Sequence, residues 1–336
     1  MDGFESEHFY GGANDYAYAY VPRRESAPYW TMARRYVLAD HMFPTEFGPS
    51  FTAHLSLIAA NTDIAPTPIA EVDAPNTLKW GCEAPPGTRS HTLDARRVER
   101  FNGPFPCFRR FPTIADRLDA AGISWKYYAA PLGGGGEVWS EFTSIHRVYY
   151  GLDWKNVISP QTRVLTDVKN GALPDVAWVT PDWQDSDHTG SGSNRGPSWV
   201  AAVVNAIGES PQWRSTAIFV LWDDWGGWYD DVPPPQLDFR GLGIRVPCIV
   251  ISPYAKAGYV SHTQYEYGSI MKFVEQVFGL PPIGPAALGF TDTRAAGISD
   301  AFDFAQPPRA FVPISAPYSK SAFLRERPSY VPPDSE

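Results

Sequence analysis

Two adjacent carboxylates, Asp223 and Asp224, stand at the end of the apolar run "AIFVLW" (217–222). Neighbours on a regular strand point to opposite faces. Gly226 and Gly227 follow at once, and they let the chain turn so that both acids converge. Anions a few ångströms apart repel, and one stays protonated unless a cation neutralises the pair. A divalent metal ion would do so; the plainer reading is a pair of turn acids. Ser50 stands in "GPS" ahead of a helix-like stretch, where backbone N–H groups favour an anion such as phosphate. It reads either as a helix N-cap or as a nucleophile activated by a metal. His188 follows Asp185 and Asp187 in a glycine-rich loop. It reads either as an exposed loop residue or as a group that protonates a leaving group or steadies a phosphoryl oxygen. His262, in "PYAKAGYVSH", has a similar but weaker reading. The "GGGG" run at 133–136 lacks the Lys-Ser/Thr of a phosphate-binding loop and reads as a flexible connection.

These residues need elements to hold them. "PYWTMARRYVLAD" (28–40) has helical periodicity with Pro28 suited to a first turn. "GPSFTAHLSLIAA" (48–60) reads as a turn and a helix, and "PTIADRLDAAG" (112–122) as a helix closed by glycine. "ISWKYYA" (123–129) and "VAWVT" (176–180) read as strands. "PSWVAAVVNAIGES" (197–210) and "YGSIMKFVEQVFG" (267–279) read as helices. "AIFVLW" and "RVPCIVIS" (245–252) look like strands buried on both faces. The alternation predicts an α/β fold with a mainly parallel sheet flanked by helices and long Pro/Gly-rich surface loops. We expect one domain over residues 1–336, with a loop excursion at 61–111 and a Pro-rich wrap at 281–336. In open α/β sheets ligands gather beyond the carboxyl ends of the strands, where His188, Asp223, Asp224 and His262 all fall.

The bulk composition narrows the class. The 336 residues are 43% hydrophobic, enough for a large core, and only 19% charged. A net charge of −9 argues against non-specific nucleic-acid binding. No apolar run approaches the ~18 residues of a membrane span. The polar start "MDGFESEHFYGG" is no signal peptide, which predicts a cytoplasmic protein as written, or an extracellular or periplasmic one if the N-terminus is incomplete. The three cysteines show no zinc spacing. Cys248 sits in an apolar run and reads as a packed thiol. Cys82 and Cys107 lie in loops, either free or paired in an oxidising compartment.

The segments together resemble the bacterial phosphoesterase family that includes C-type phospholipases and acid phosphatases. The resemblance rests on "YVLADHMFPTEFGPSFTAHLSLIA", "WGCEAPPG", "FPTIADRLDAAGISWKYYA", "SDH", "STAIFVLWDDWGGWYDDVPPP", "GIRVPCIVISPYAKAGYVSHTQYEYGSIMKFVEQVFGL" and "DAFDFAQPPR". It implies an alkaline phosphatase-like fold, Ser50 as nucleophile, His188 as the active-site loop histidine, and Asp223 and Asp224 as metal ligands. It implies a phosphate ester or phospholipid as substrate and a divalent metal as cofactor. His54 and His262 sit in family-like segments without an assigned role. Two departures stand out. Family members carry an N-terminal strand ending in a Glu-Asn-Arg-Ser-Phe pattern with two further ligands, and nothing like it occurs here. Asp231 stands where members commonly have histidine. We therefore expect a weakly held metal and little activity, with a non-catalytic relic of the fold as the alternative. A sulfatase-like enzyme ranks below both, because "GPSFTAH" lacks the Cys/Ser-x-Pro-x-Arg pattern.

Overall fold

Helix α1 (Ala27–Arg35) begins with proline in its first turn and ends where Tyr36 leaves helical geometry. The predicted helix over 28–40 is thus corrected: its last residues open strand β1 (Val37–Phe43). Val37, Ala39, Met42 and Phe43 are buried. The buried and part-buried positions alternate at the start of β1, the two-residue period of a pleated strand, and this overrides the apparent helical spacing.

The computed structural model describes residues 1, 3–4, 16–64, 69–71, 79–134, 136–191 and 194–330. After β1 come α2 (Ser50–Ala59), a small antiparallel sheet of β2 (Ile69–Glu71), β3 (Thr92–Asp94) and β4 (Glu99–Arg100), then α3 (Ile114–Ala121) and β5 (Trp125–Tyr128). The chain continues through α4 (His146–Tyr149), β6 (Val157–Ile158), α5 (Arg163–Lys169), β7 (Val176–Val179), α6 (Arg195–Gly208) and β8 (Ile218–Leu221). It closes with β9 (Val246–Ile251), β10 (Tyr259–Ser261), β11 (Tyr265–Glu266), α7 (Tyr267–Phe278), α8 (Thr291–Arg294) and α9 (Lys320–Phe323).

The main sheet runs β10-β1-β9-β8, with β11 continuing the β10 edge along β1. The β1 pairings with β10 and β11 are parallel, and those of β9 with β1 and β8 are antiparallel. A second sheet, β6-β5-β7, is parallel throughout. Both sheets lie between the same helices. Ile218 of β8 and Val179 of β7 pack on the cluster around Trp199 of α6. On the opposite face Phe219 meets Phe273 of α7 edge-on, and the Trp178 indole donates to the Leu57 carbonyl of α2. Among the described residues no ladder joins β7 to β8, so both are edge strands. The two-sided burial expected of "AIFVLW" is corrected accordingly: in β8 only Val220 is fully buried.

Within the span expected to be an excursion, 61–111, of which residues 65–68 and 72–78 lie outside the described residues, a disulfide joins Cys82 to Cys107, while Cys248 is free and buried. The C-terminal segment lies along α6. Asn205 bonds both ways with Ile314, and Phe323 is buried against Trp199.

Candidate active site

Strands β1 and β8 both run antiparallel to β9, and so run in the same direction. Their carboxyl ends lie at one end of the sheet, where open α/β sheets gather ligands. β8 leads there into Asp223 and Asp224, and β1 leads through a short loop to Ser50.

The acid pair is fixed by its backbone. The Tyr267 hydroxyl, at the start of α7, lies 2.5 Å from the Trp222 carbonyl and 2.7 Å from the Asp223 carbonyl. The Gly226 N–H donates to Asp224 Oδ1 at 2.7 Å, and Thr189 Oγ1 donates to the Gly226 carbonyl at 3.0 Å. Gly226 and Gly227 have φ of +60° and +79°, the left-handed region where a side chain costs about 1–2 kcal/mol. Asp224 thus serves the turn with one oxygen and meets Ser50 with the other.

Pro49 is the N-cap of α2, in extended geometry, and no side chain caps this end. Ser50 is therefore the first residue inside the helix, which corrects its reading as an N-cap. Its Oγ donates to Asp224 Oδ2 at 3.1 Å, and the residue is buried. His54, one turn along α2, places Nε2 3.3 Å from Asp223 Oδ2. Burial pushes the Asp223 carboxyl up, but the His54 hydrogen bond and charge, with the Ser50 hydroxyl, outweigh it and hold the group at about 2.

His188 lies in the loop after β7. Its Nδ1 is 2.9 Å from the Thr189 carbonyl, and since a carbonyl only accepts, Nδ1 carries the proton. Nε2 then carries the ring's lone pair. The His188 ring packs 4.4 Å from Trp183 and 6.0 Å from Trp139. The His54 ring stacks on the same Trp139 at 6.5 Å. Trp139 is thus the shared wall joining the loop histidine to the helix that carries Ser50. The loop itself is anchored through Asp187, which accepts from the Tyr29 hydroxyl at 2.6 Å.

Ser50, Asp223 and Asp224 therefore meet directly, and His188 joins them through Trp139. The two carboxylates and the hydroxyl form an all-oxygen donor set, which suits a hard divalent cation. Among the described residues, no further His, Cys, Asp or Glu closes on the acid pair to make a three-ligand cluster. Asp231 turns towards Arg245 at 3.5 Å with its side chain 74% exposed, so its charge is partly met by a guanidinium. His54 is the contact to which sequence reading assigns no role. The signal was its place four residues after Ser50, on one helix face. Trp139 and Trp183 carried no signal, because the chain has 12 tryptophans and most suit an ordinary core.

Residues 3–281 match the Phosphoesterase family, and the chain belongs to that family. It is 28% identical over 240 residues to phospholipase C B of Mycobacterium tuberculosis, covering 60% of this chain and 44% of that protein. It is 29% identical over 253 residues to a non-hemolytic phospholipase C of Pseudomonas aeruginosa, covering 61% of this chain and 35% of the relative. The chain thus spans less than half the length of either relative. A solved protein of the alkaline phosphatase superfamily from Vibrio parahaemolyticus superposes with a TM-score of 0.44 and 11% identity, over 82% of this chain and 65% of the other.

Proposed function

We propose that this chain hydrolyses phosphate esters, of the phospholipase C or acid phosphatase type, with Ser50 as nucleophile. The observation that carries the reading is the Ser50 hydroxyl held by Asp224 at the start of a helix whose next turn holds Asp223 through His54. The family membership supports it, as do relatives named phospholipase C.

Ser50 Oγ attacks phosphorus, passing its proton to Asp224 Oδ2 as the Oγ–P bond forms and the ester P–O bond breaks, and Asp224 returns that proton to Oγ when water opens the phosphoserine. The backbone N–H groups at the start of α2 face the phosphoryl oxygens. His188, charged at that moment, gives the leaving oxygen its proton from Nε2; as the neutral ring it then takes one from the water that opens the phosphoserine. Asp223, ionised at neutral pH, and Asp224 would hold a divalent cation together with the Ser50 hydroxyl. When bound, such an ion supplies charge neutralisation at the nucleophile and the phosphoryl group. The test is hydrolysis of p-nitrophenyl phosphate and of phosphatidylcholine with added divalent metals. Wild type should turn over at least one, and Ser50→Ala should lose about 10³-fold or more, the scale of removing a nucleophile. Equal rates in both proteins remove Ser50 from the mechanism.

A second reading has one observation in its favour. Among the described residues no group of three His, Cys, Asp or Glu ligands includes Asp223 and Asp224, and on this reading the metal is weakly held and the fold serves as a binding or structural module without turnover. Absence of hydrolysis by wild type at millimolar metal, with the fold intact by circular dichroism, selects it. The Cys82–Cys107 bond favours an extracellular or periplasmic setting over the cytoplasm.

A further inference from the structure

The ladders of β1 break on both sides at the same two residues. Against β9 the register passes from Ala39↔Cys248 to Met42↔Val246, so one extra residue is accommodated on β1. On the other side β1 passes from Ala39↔Ser261 of β10 to Met42↔Tyr265 of β11, and the chain between them begins at His262. A bulge re-aims side chains that a regular strand would send to opposite faces. Here it turns Asp40 and His41 towards each other and towards His262. Asp40 Oδ1 lies 2.7 Å from His41 Nδ1, and Asp40 Oδ2 lies 2.8 Å from His262 Nδ1. Among the described residues these three form the one group of at least three His, Cys, Asp or Glu side chains whose ligand atoms lie within 4.8 Å of one another.

We propose that Asp40, His41 and His262 form a surface site for a divalent transition-metal ion, separate from the Asp223/Asp224 pair. Two imidazoles and one carboxylate suit zinc, cobalt, nickel or copper, and do not suit magnesium or calcium, which take oxygen donors. Three protein ligands leave a position for water, and the His262 side chain, 72% exposed, leaves the site open to solvent. The local charge also favours a cation. Arg245 is the guanidinium beside the site; it binds Asp230 through two nitrogens, meets Asp231, and reaches the Asp40 carbonyl at 3.4 Å. One positive charge against the carboxylates of Asp40, Asp230 and Asp231 leaves the patch at two negative charges when the imidazoles are neutral. A bound ion would clamp β1 to the loop between β10 and β11, the outer edge of the main sheet.

The experiment uses the full chain without an oligohistidine tag, stripped of metal and titrated with zinc by calorimetry and with cobalt by visible absorption. Wild type and the Asp223→Asn/Asp224→Asn double variant should both show the same binding event, with cobalt bands from nitrogen ligation. His262→Ala, at an exposed position, should weaken that event by about tenfold or more, the scale of a disturbed metal site. His41→Ala should do the same. An event that disappears in the double variant, or one that His262→Ala leaves unchanged, overturns the proposal. So does a wild-type chain that binds neither ion.

Discussion

The contact between His54 and Asp223 sets the charge of the acid pair. With His54 gone, Asp223 keeps its burial and loses its largest stabilising partner. His54→Ala is expected to raise the Asp223 pKa and to destabilise the chain by about 1–3 kcal/mol, below the range for a fully buried pair because both side chains retain some exposure. Denaturant titration measures this. Adding Asp223→Asn in a double-mutant cycle should recover part of the loss, since an amide carries no charge to strand. In the sequence, Ser50 and the two aspartates stood out as a group only through the family resemblance, since the residues alone also suit a helix cap and a pair of turn acids. His54 showed only as a helix position one turn after Ser50, and its partner Asp223 became visible only once the strand end opposite it was placed.

Among the elements, the turn after β8 does the positioning. A Cβ at Gly226 would add the cost of positive φ and meet the Trp228 ring at 3.3 Å. Gly226→Ala should lower stability by about 1–2 kcal/mol. It should also cut turnover more than substrate affinity, because the Gly226 N–H orients Asp224. Steady-state kinetics and thermal melts check both. The helices α2, α6 and α7 were readable from apolar periodicity and from turn residues at their ends. The strand β1 was not: "ARRYVLAD" carries helix-compatible spacing, and only its neighbours β9 and β10 make it a strand. Nor was the edge position of β8 readable, since an apolar run looks the same with one neighbour or two. Edges left unpaired at β7 and β8 among the described residues would template association, so sedimentation should show mass rising with protein concentration; a single monomer species throughout would count against this.

For the molecule as a whole, several buried carboxyls respond to pH together. Burial raises Glu46, Glu137 and Asp185 to about 7, Asp182 to about 6 and Glu275 to about 8. A folded pKa above the unfolded value gives stability that is complete below the unfolded pKa and lost as pH rises through the folded one. Stability should therefore climb as pH falls from about 8 towards 5. Asp223 has the opposite sign: its contribution is present above its unfolded value and is lost as pH falls towards about 2. Melting temperature across pH 3–9 should pass through a mildly acidic maximum. Opening the Cys82–Cys107 bond, whose partners are 25 residues apart, should cost about 3.5 kcal/mol by the loop-entropy relation. A reductant should then lower the melting temperature, and Cys82→Ser should match it. The rings at the heart of the site carry one more consequence. Trp139 stacks on Trp183, and both lie against His188, the ring proposed above to exchange protons with the ester. Indole emission is quenched by an imidazolium and restored by the neutral ring. Trp183, which lies against His188, is therefore an internal reporter: the emission difference between wild type and Trp183→Phe should change when the charge of that ring changes, with no added dye.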